Sequence, residues 1–136
     1  MFAALAFGGE ELYAIVQMTR SDGMHMFSLG GIYHDRESCI AQAQQNVREF
    51  QDSAEKSGFT AQHDLVACDT RAPLGTAFED LMKGFSARHY IFGFSNSRVM
   101  VVHERGTLEY ERQVCETLKG AYLTKYGIRG VCVAPK

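Results

Sequence analysis

The alternation of apolar and polar positions changes period along the chain, and each change marks an element boundary. Leu12 to Thr19 (LYAIVQMT) reads as a first strand. Ser21-Asp22-Gly23 follows as a turn, because Gly accepts positive φ and Asp tolerates turn geometry. MHMFSLGGIY, residues 24–33, is the return strand, with Gly30-Gly31 marking a bend. From Asp35 the period becomes helical: Ile40, Ala43, Val47, Phe50 and Ala54 recur at steps of three and four. Asp35 can cap this helix by accepting from an orphan N–H, and Gly58 can end it in a left-handed conformation. A strand over His63 to Thr70 follows.

Residues 72–87 form a connector broken by Pro73 and Gly75. Thr76-Ala77-Phe78-Glu79 matches a capping box, and Phe78, Leu81, Met82 and Phe85 give a short helix over 76–85 an apolar stripe. A second hairpin comes next: RHYIFGF, the turn Ser95-Asn96-Ser97, then RVMVVHE. Thr107 caps a last helix with Val114, Leu118, Ala121 and Tyr122 at helical spacing, Gly127 ends it, and IRGVCVA supplies a final strand. The order is ββαβ, a short helix, then ββαβ again. One domain is expected over 1–136, with pseudo-repeats at 10–71 and 88–135 and the connector helix 76–85 between them.

The expected fold is α+β: a two-layer sandwich with a mainly antiparallel sheet of about six strands and both long helices on one face. In element order this resembles duplicated ferredoxin-like modules, such as GyrI-like effector-binding domains and dimeric α+β-barrel proteins. The resemblance rests on order alone and transfers no residue.

Several strands are apolar on both sides. Tyr90, Phe92 and Phe94 alternate onto one face with Ile91 on the other, and Leu12, Ala14 and Val16 share a strand with Tyr13 and Ile15. Such strands need cover on both faces. With the long helices on one, the other needs the helix 76–85, a second subunit or an apolar ligand. This points to a non-enzymatic binding module, homodimeric, holding a small apolar or anionic ligand or a protein partner between the second face and the helix 76–85. Met82, Arg88, Tyr90, Phe92 and Phe94 would line the site, with His103 at its rim.

His34-Asp35-Arg36 and His103-Glu104-Arg105 repeat one triplet at the two strand-to-helix transitions. His shuttles protons near neutral pH and Arg holds anions, so an alternative is a small enzyme. His103 or His34 would be its general acid/base, and Arg36 or Arg105 would bind an anionic group. Neighbouring strand side chains face apart, however, so any carboxylate orienting either His must come from elsewhere in the fold. The simpler expectation is a pair of structural joints. His25, among Met24, Met26 and Phe27, reads as a satisfied core or interface histidine, and His63 as a solvated strand entry.

Composition narrows the field. Hydrophobic content of 46% and charged content of 22% describe a globular chain, and a net charge of -2 offers no footprint for nucleic acid or an anionic membrane. RHYIFGF resembles the RNP1 strand of RNA-recognition domains at Arg88, Tyr90 and Phe92, but His89, Ile91 and Gly93 depart from that pattern. Each half has one Cys in its helix (Cys39, Cys115) and one in its closing strand (Cys68, Cys132). No C-x-x-C pair or zinc spacing occurs, so the four read as buried free thiols in a reducing cytoplasm. The opening MFAALAFGG lacks a positively charged start, and no run approaches the roughly 20 apolar residues of a membrane span. Without a phosphate-binding glycine loop, nucleophile elbow or metal-binding helix motif, no cofactor or metal is expected.

Overall fold

The computed structural model describes residues 11–70 and 88–136. In chain order these form β1 (Leu12–Arg20), β2 (Met24–Tyr33), α1 (Arg36–Lys56), β3 (Ala61–Thr70), β4 (Ile91–Phe94), β5 (Ser97–His103), α2 (Leu108–Tyr126) and β6 (Val131–Val133). The connector helix expected over 76–85, with its capping box and Met82, lies outside the described residues, as does the N-terminal tip.

The helix ends follow local chemistry. The Asp35 carboxylate accepts from the Ser38 amide at 2.8 Å, and Thr107 Oγ1 accepts from the Tyr110 amide at 3.1 Å. Gly58 and Gly127 stand at φ +84° and +67°, a conformation an L side chain resists, so each helix stops there. The Ser38 amide also holds the Asp35 carboxyl below the usual carboxylate range. Some positions differ from the sequence pattern. Ile40 is 41% exposed and Cys39 fully buried, because the disulfide described below turns Cys39 toward the sheet. Ala121 is likewise exposed. The fourth strand starts at Ile91, since the Tyr90 N–H is taken by the buried Glu111 carboxylate at 3.1 Å.

All six strands join one open antiparallel sheet in the order β3-β1-β2-β5-β4-β6. The order reads the same from both edges. Each half contributes its third strand to the outside, its first beside it, and its second to the centre. There β2 meets β5 from Met24 opposite His103 to Leu29 opposite Arg98. The helices lie on one side, α1 over β1 and β3 and α2 over β4, β5 and β6. Leu12, Ala14, Val16 and Met18 alternate along β1 to face α1, and pack with Met26, Cys39 and Ala43 as the main core.

The cysteines are paired. Cys39 of α1 bonds Cys68 of β3, and Cys115 of α2 bonds Cys132 of β6, with Cα separations of 6.1 and 6.0 Å. This overturns the reading of four free thiols, and with it the basis for expecting a reducing cytoplasm. Each helix is thereby fastened to the outermost strand of its own half.

On the second sheet face, Tyr13, Ile15, Ile91 and Met100 are already buried within the single chain. Exposed apolar side chains there are confined to the outer strands, at Leu65, Val131 and Val133. On the central strands of that face Phe27, Leu29 and Val102 are half-buried.

The native protein should contain no thiol reactive toward a thiol-specific reagent after unfolding without reductant. The double variants Cys39→Ala/Cys68→Ala and Cys115→Ala/Cys132→Ala should each lose about 3 kcal/mol in denaturant unfolding, the chain-entropy value for loops of this size. Titration of four free thiols would contradict the pairing. Gly130 lies against the Phe92 ring, where an added Cβ would overlap it, so Gly130→Ala should cost about 2 kcal/mol in the same assay.

Candidate functional site

A sheet of six strands is roughly 24 Å wide at about 4.8 Å per strand, whereas each packed helix covers about 10 Å. With α1 and α2 held to the outer strands, the central strands are left beneath a gap. The gap is a groove of about 640 Å³. Met24, Met26 and Ser28 of β2 and Val99 and Val101 of β5 form its floor. The two methionines are buried and the valines half-buried.

The two walls differ. From α1 come Gln42, Gln45, Asn46, Glu49 and Ser53, with Phe50 lower down. From α2 come Val114, Leu118, Tyr122 and Tyr126. Tyr122 sits at the hub of an aromatic cluster, its ring centroid 5.1 Å from Phe92, 5.0 Å from Phe94 and 5.4 Å from Tyr126. Burial raises its hydroxyl pKa, and the negative fields of Tyr126 and Glu49 add to the effect. Tyr33, on the β2 side of the groove, is raised by burial as well. The groove thus offers an apolar floor, an aromatic wall and an amide-rich wall with a single carboxylate.

The sequence-nominated residues are divided by this arrangement. Phe92 and Phe94 do alternate onto one face, but it is the helix face: Phe92 is buried under Tyr122, and Phe94 lines the groove. The helix 76–85 that the expected site would share lies outside the described residues. Arg88 is exposed ahead of β4, and half-buried Tyr90 is held by its amide to Glu111. Glu111 also accepts from His89 Nδ1 at 3.0 Å, which satisfies a buried carboxylate.

His103 lies at the end of the sheet by the β1–β2 turn. Arg20 grips Asp22 through Nε at 2.7 Å and Nη2 at 2.8 Å, and His103 Nε2 lies 3.4 Å from the same carboxylate. The Arg105 amide donates to His103 Nδ1 at 3.2 Å. The Nδ1 lone pair is thereby occupied, and Nε2 faces the Asp22 carboxylate. The orienting acid does come from elsewhere in the fold, as Asp22, while Glu104 turns to His25 Nε2 at 3.2 Å. His25 Nδ1 meets Thr19 Oγ1 at 3.2 Å, so His25 is a satisfied histidine. His34 is exposed with no hydrogen-bond partner among the described residues, His63 is exposed, and Arg36 donates to the Cys68 carbonyl at 3.0 Å. The triplets are joints: Asp35 caps α1, and His103 braces the turn before α2 against the Tyr110 ring edge.

No group of three or more His, Cys, Asp or Glu suited to a metal occurs among the described residues. No described helix is long and apolar enough to cross a membrane. Compared with protein-family models, curated proteins and solved structures, the chain matches none.

Glu49 and Tyr122 escaped the sequence reading for different reasons. Tyr122 lay on the recognised apolar stripe of α2 and passed as core. Glu49 lies on a polar row of α1, where residues facing a groove look like residues facing water.

Arg20 holds the Asp22 carboxyl far below the usual carboxylate range, mainly through its side-chain hydrogen bonds. A lowered folded pKa means this contact stabilises fully above the unfolded value near about 3.9, and is lost as pH falls through the folded value. Asp22→Asn should therefore lower stability near neutral pH by about 1–2 kcal/mol, and flatten the acid limb of a stability–pH curve below about pH 4. Unchanged acid dependence would show the contact to be energetically idle.

Proposed function

We propose that the chain is a non-enzymatic binding module that takes a small, partly apolar ligand in the groove between α1 and α2. The observation that carries this reading is the floor of Met24, Met26, Val99 and Val101, which among the described residues lies in the groove between the two helices. Its volume of about 640 Å³ lies within the range of small-molecule sites. Flexible methionine thioethers in the floor can follow ligands of different shape. An enzyme centred on His103 or His34 has less support, because the His103 Nδ1 lone pair accepts from the Arg105 amide, its Nε2 faces an Asp22 carboxylate already gripped by Arg20, and His34 has no orienting acid among the described residues.

Two companion readings belong to the same proposal. The mirrored strand order supports a duplicated ββαβ unit, with the ligand lying across the joint between halves. The two disulfides support a site of action in an oxidising compartment.

Titration of the oxidised protein with Nile red, a neutral apolar dye, should give saturable one-site fluorescence enhancement. Ser28→Trp and Val99→Trp, each placing an indole on the floor, should weaken it at least about tenfold while thermal unfolding confirms a folded chain. Absence of saturable binding, or equal binding by both folded variants, would overturn the reading. Column mass measured in parallel tests the homodimer expected from the sequence.

A further inference from the structure

We infer that the groove selects organic cations, compounds joining an aromatic or aliphatic body to a permanent positive charge. This rests on the groove being a ligand site and adds the class of ligand. Among the described residues, the charged side chains lining it are Arg20 and Glu49. Arg20 is committed elsewhere, bonded through two nitrogens to Asp22 and stacked 4.6 Å over the Phe59 ring. Glu49 has no such commitment. None of the ion pairs among the described residues includes it, and its side-chain contact is a long 3.4 Å hydrogen bond from Gln45. The groove therefore presents one uncompensated negative charge above an apolar floor.

The opposite wall completes the match. Tyr122, Tyr126 and Phe94 supply aromatic rings whose faces attract a cation through their quadrupoles, most strongly where water is displaced. The chain already uses this contact at the rim, where the Lys125 ammonium lies 5.5 Å from the Tyr126 ring centroid. A ligand cation seated farther in would meet Glu49 from α1 and Tyr122 from α2 together. The field of Glu49 reaches the Tyr122 hydroxyl, consistent with carboxylate and ring addressing the same space. An anion would meet the reverse: a carboxylate without an ion-pair partner, electron-rich ring faces and no uncommitted cation among the groove's described lining residues.

Tetraphenylphosphonium and tetraphenylborate have the same shape and opposite charge, and Nile red reports the neutral case. The oxidised protein should bind the phosphonium at least about tenfold more tightly than the borate in calorimetric titration at low salt. Glu49→Gln should weaken phosphonium binding about five- to tenfold and leave Nile red within about twofold. Glu49 is exposed on a helix surface, so the variant should fold. Tyr122→Leu, checked by thermal unfolding, should also weaken the phosphonium more than Nile red. If Nile red binds but phosphonium and borate bind alike, or Glu49→Gln leaves the preference unchanged, the cation inference falls while the ligand-binding reading stands. If no probe binds, both fall.

Discussion

The structure of the described residues depends on where their two helices are fastened. Cys39–Cys68 and Cys115–Cys132 each join a helix to an edge strand, and the edges are the two strands farthest apart in the sheet. Two helices free to slide over a six-stranded sheet would gain apolar burial by meeting above its centre. Covalent attachment at the flanks opposes that movement, and among the described residues a groove stays open between the helices above β2 and the adjoining side of β5. Stability and the groove then have a common origin: the crosslinks that restrict the unfolded chain also hold the walls apart.

The groove's two sides have distinct chemical origins. Because α1 packs closely on β1 and β3 through small side chains such as Ala43 and Ala54, its flank toward the groove carries amides and Glu49. The α2 flank carries tyrosines, since Phe92 and Phe94 project from β4 into that side and collect Tyr122 above them. At the end of the sheet, Arg20, Asp22 and His103 tie the β1–β2 turn to the β5–α2 joint across the two halves. They anchor the central strand pair that forms the floor.

Much of the architecture was legible in the residues. Asp35, Gly58, Thr107 and Gly127 mark helix ends because capping depends on groups within a few residues of each other. Alternation in β1 and β2 likewise located both strands. The cysteine pattern is visible too, one in each helix and one in each closing strand, and by itself it reads as free thiols. Spacing along a chain carries no measure of whether two sulfurs meet. Face assignment failed similarly at Phe92 and Phe94: their alternation was correct, but strands apolar on both sides carry no label for the side the helices will choose.

Hydrophobic period, capping and turn chemistry act over one or two turns of chain, so the residues alone specify the described strands and long helices, their order and their caps. The cysteine partners, the meeting of β2 with β5 at the centre and the placing of Glu49 opposite Tyr122 are set by the packed fold. Each of these joins residues distant in the chain, brought together by sheet order and helix docking. A groove is the space left by that docking, and no local pattern of residues records it.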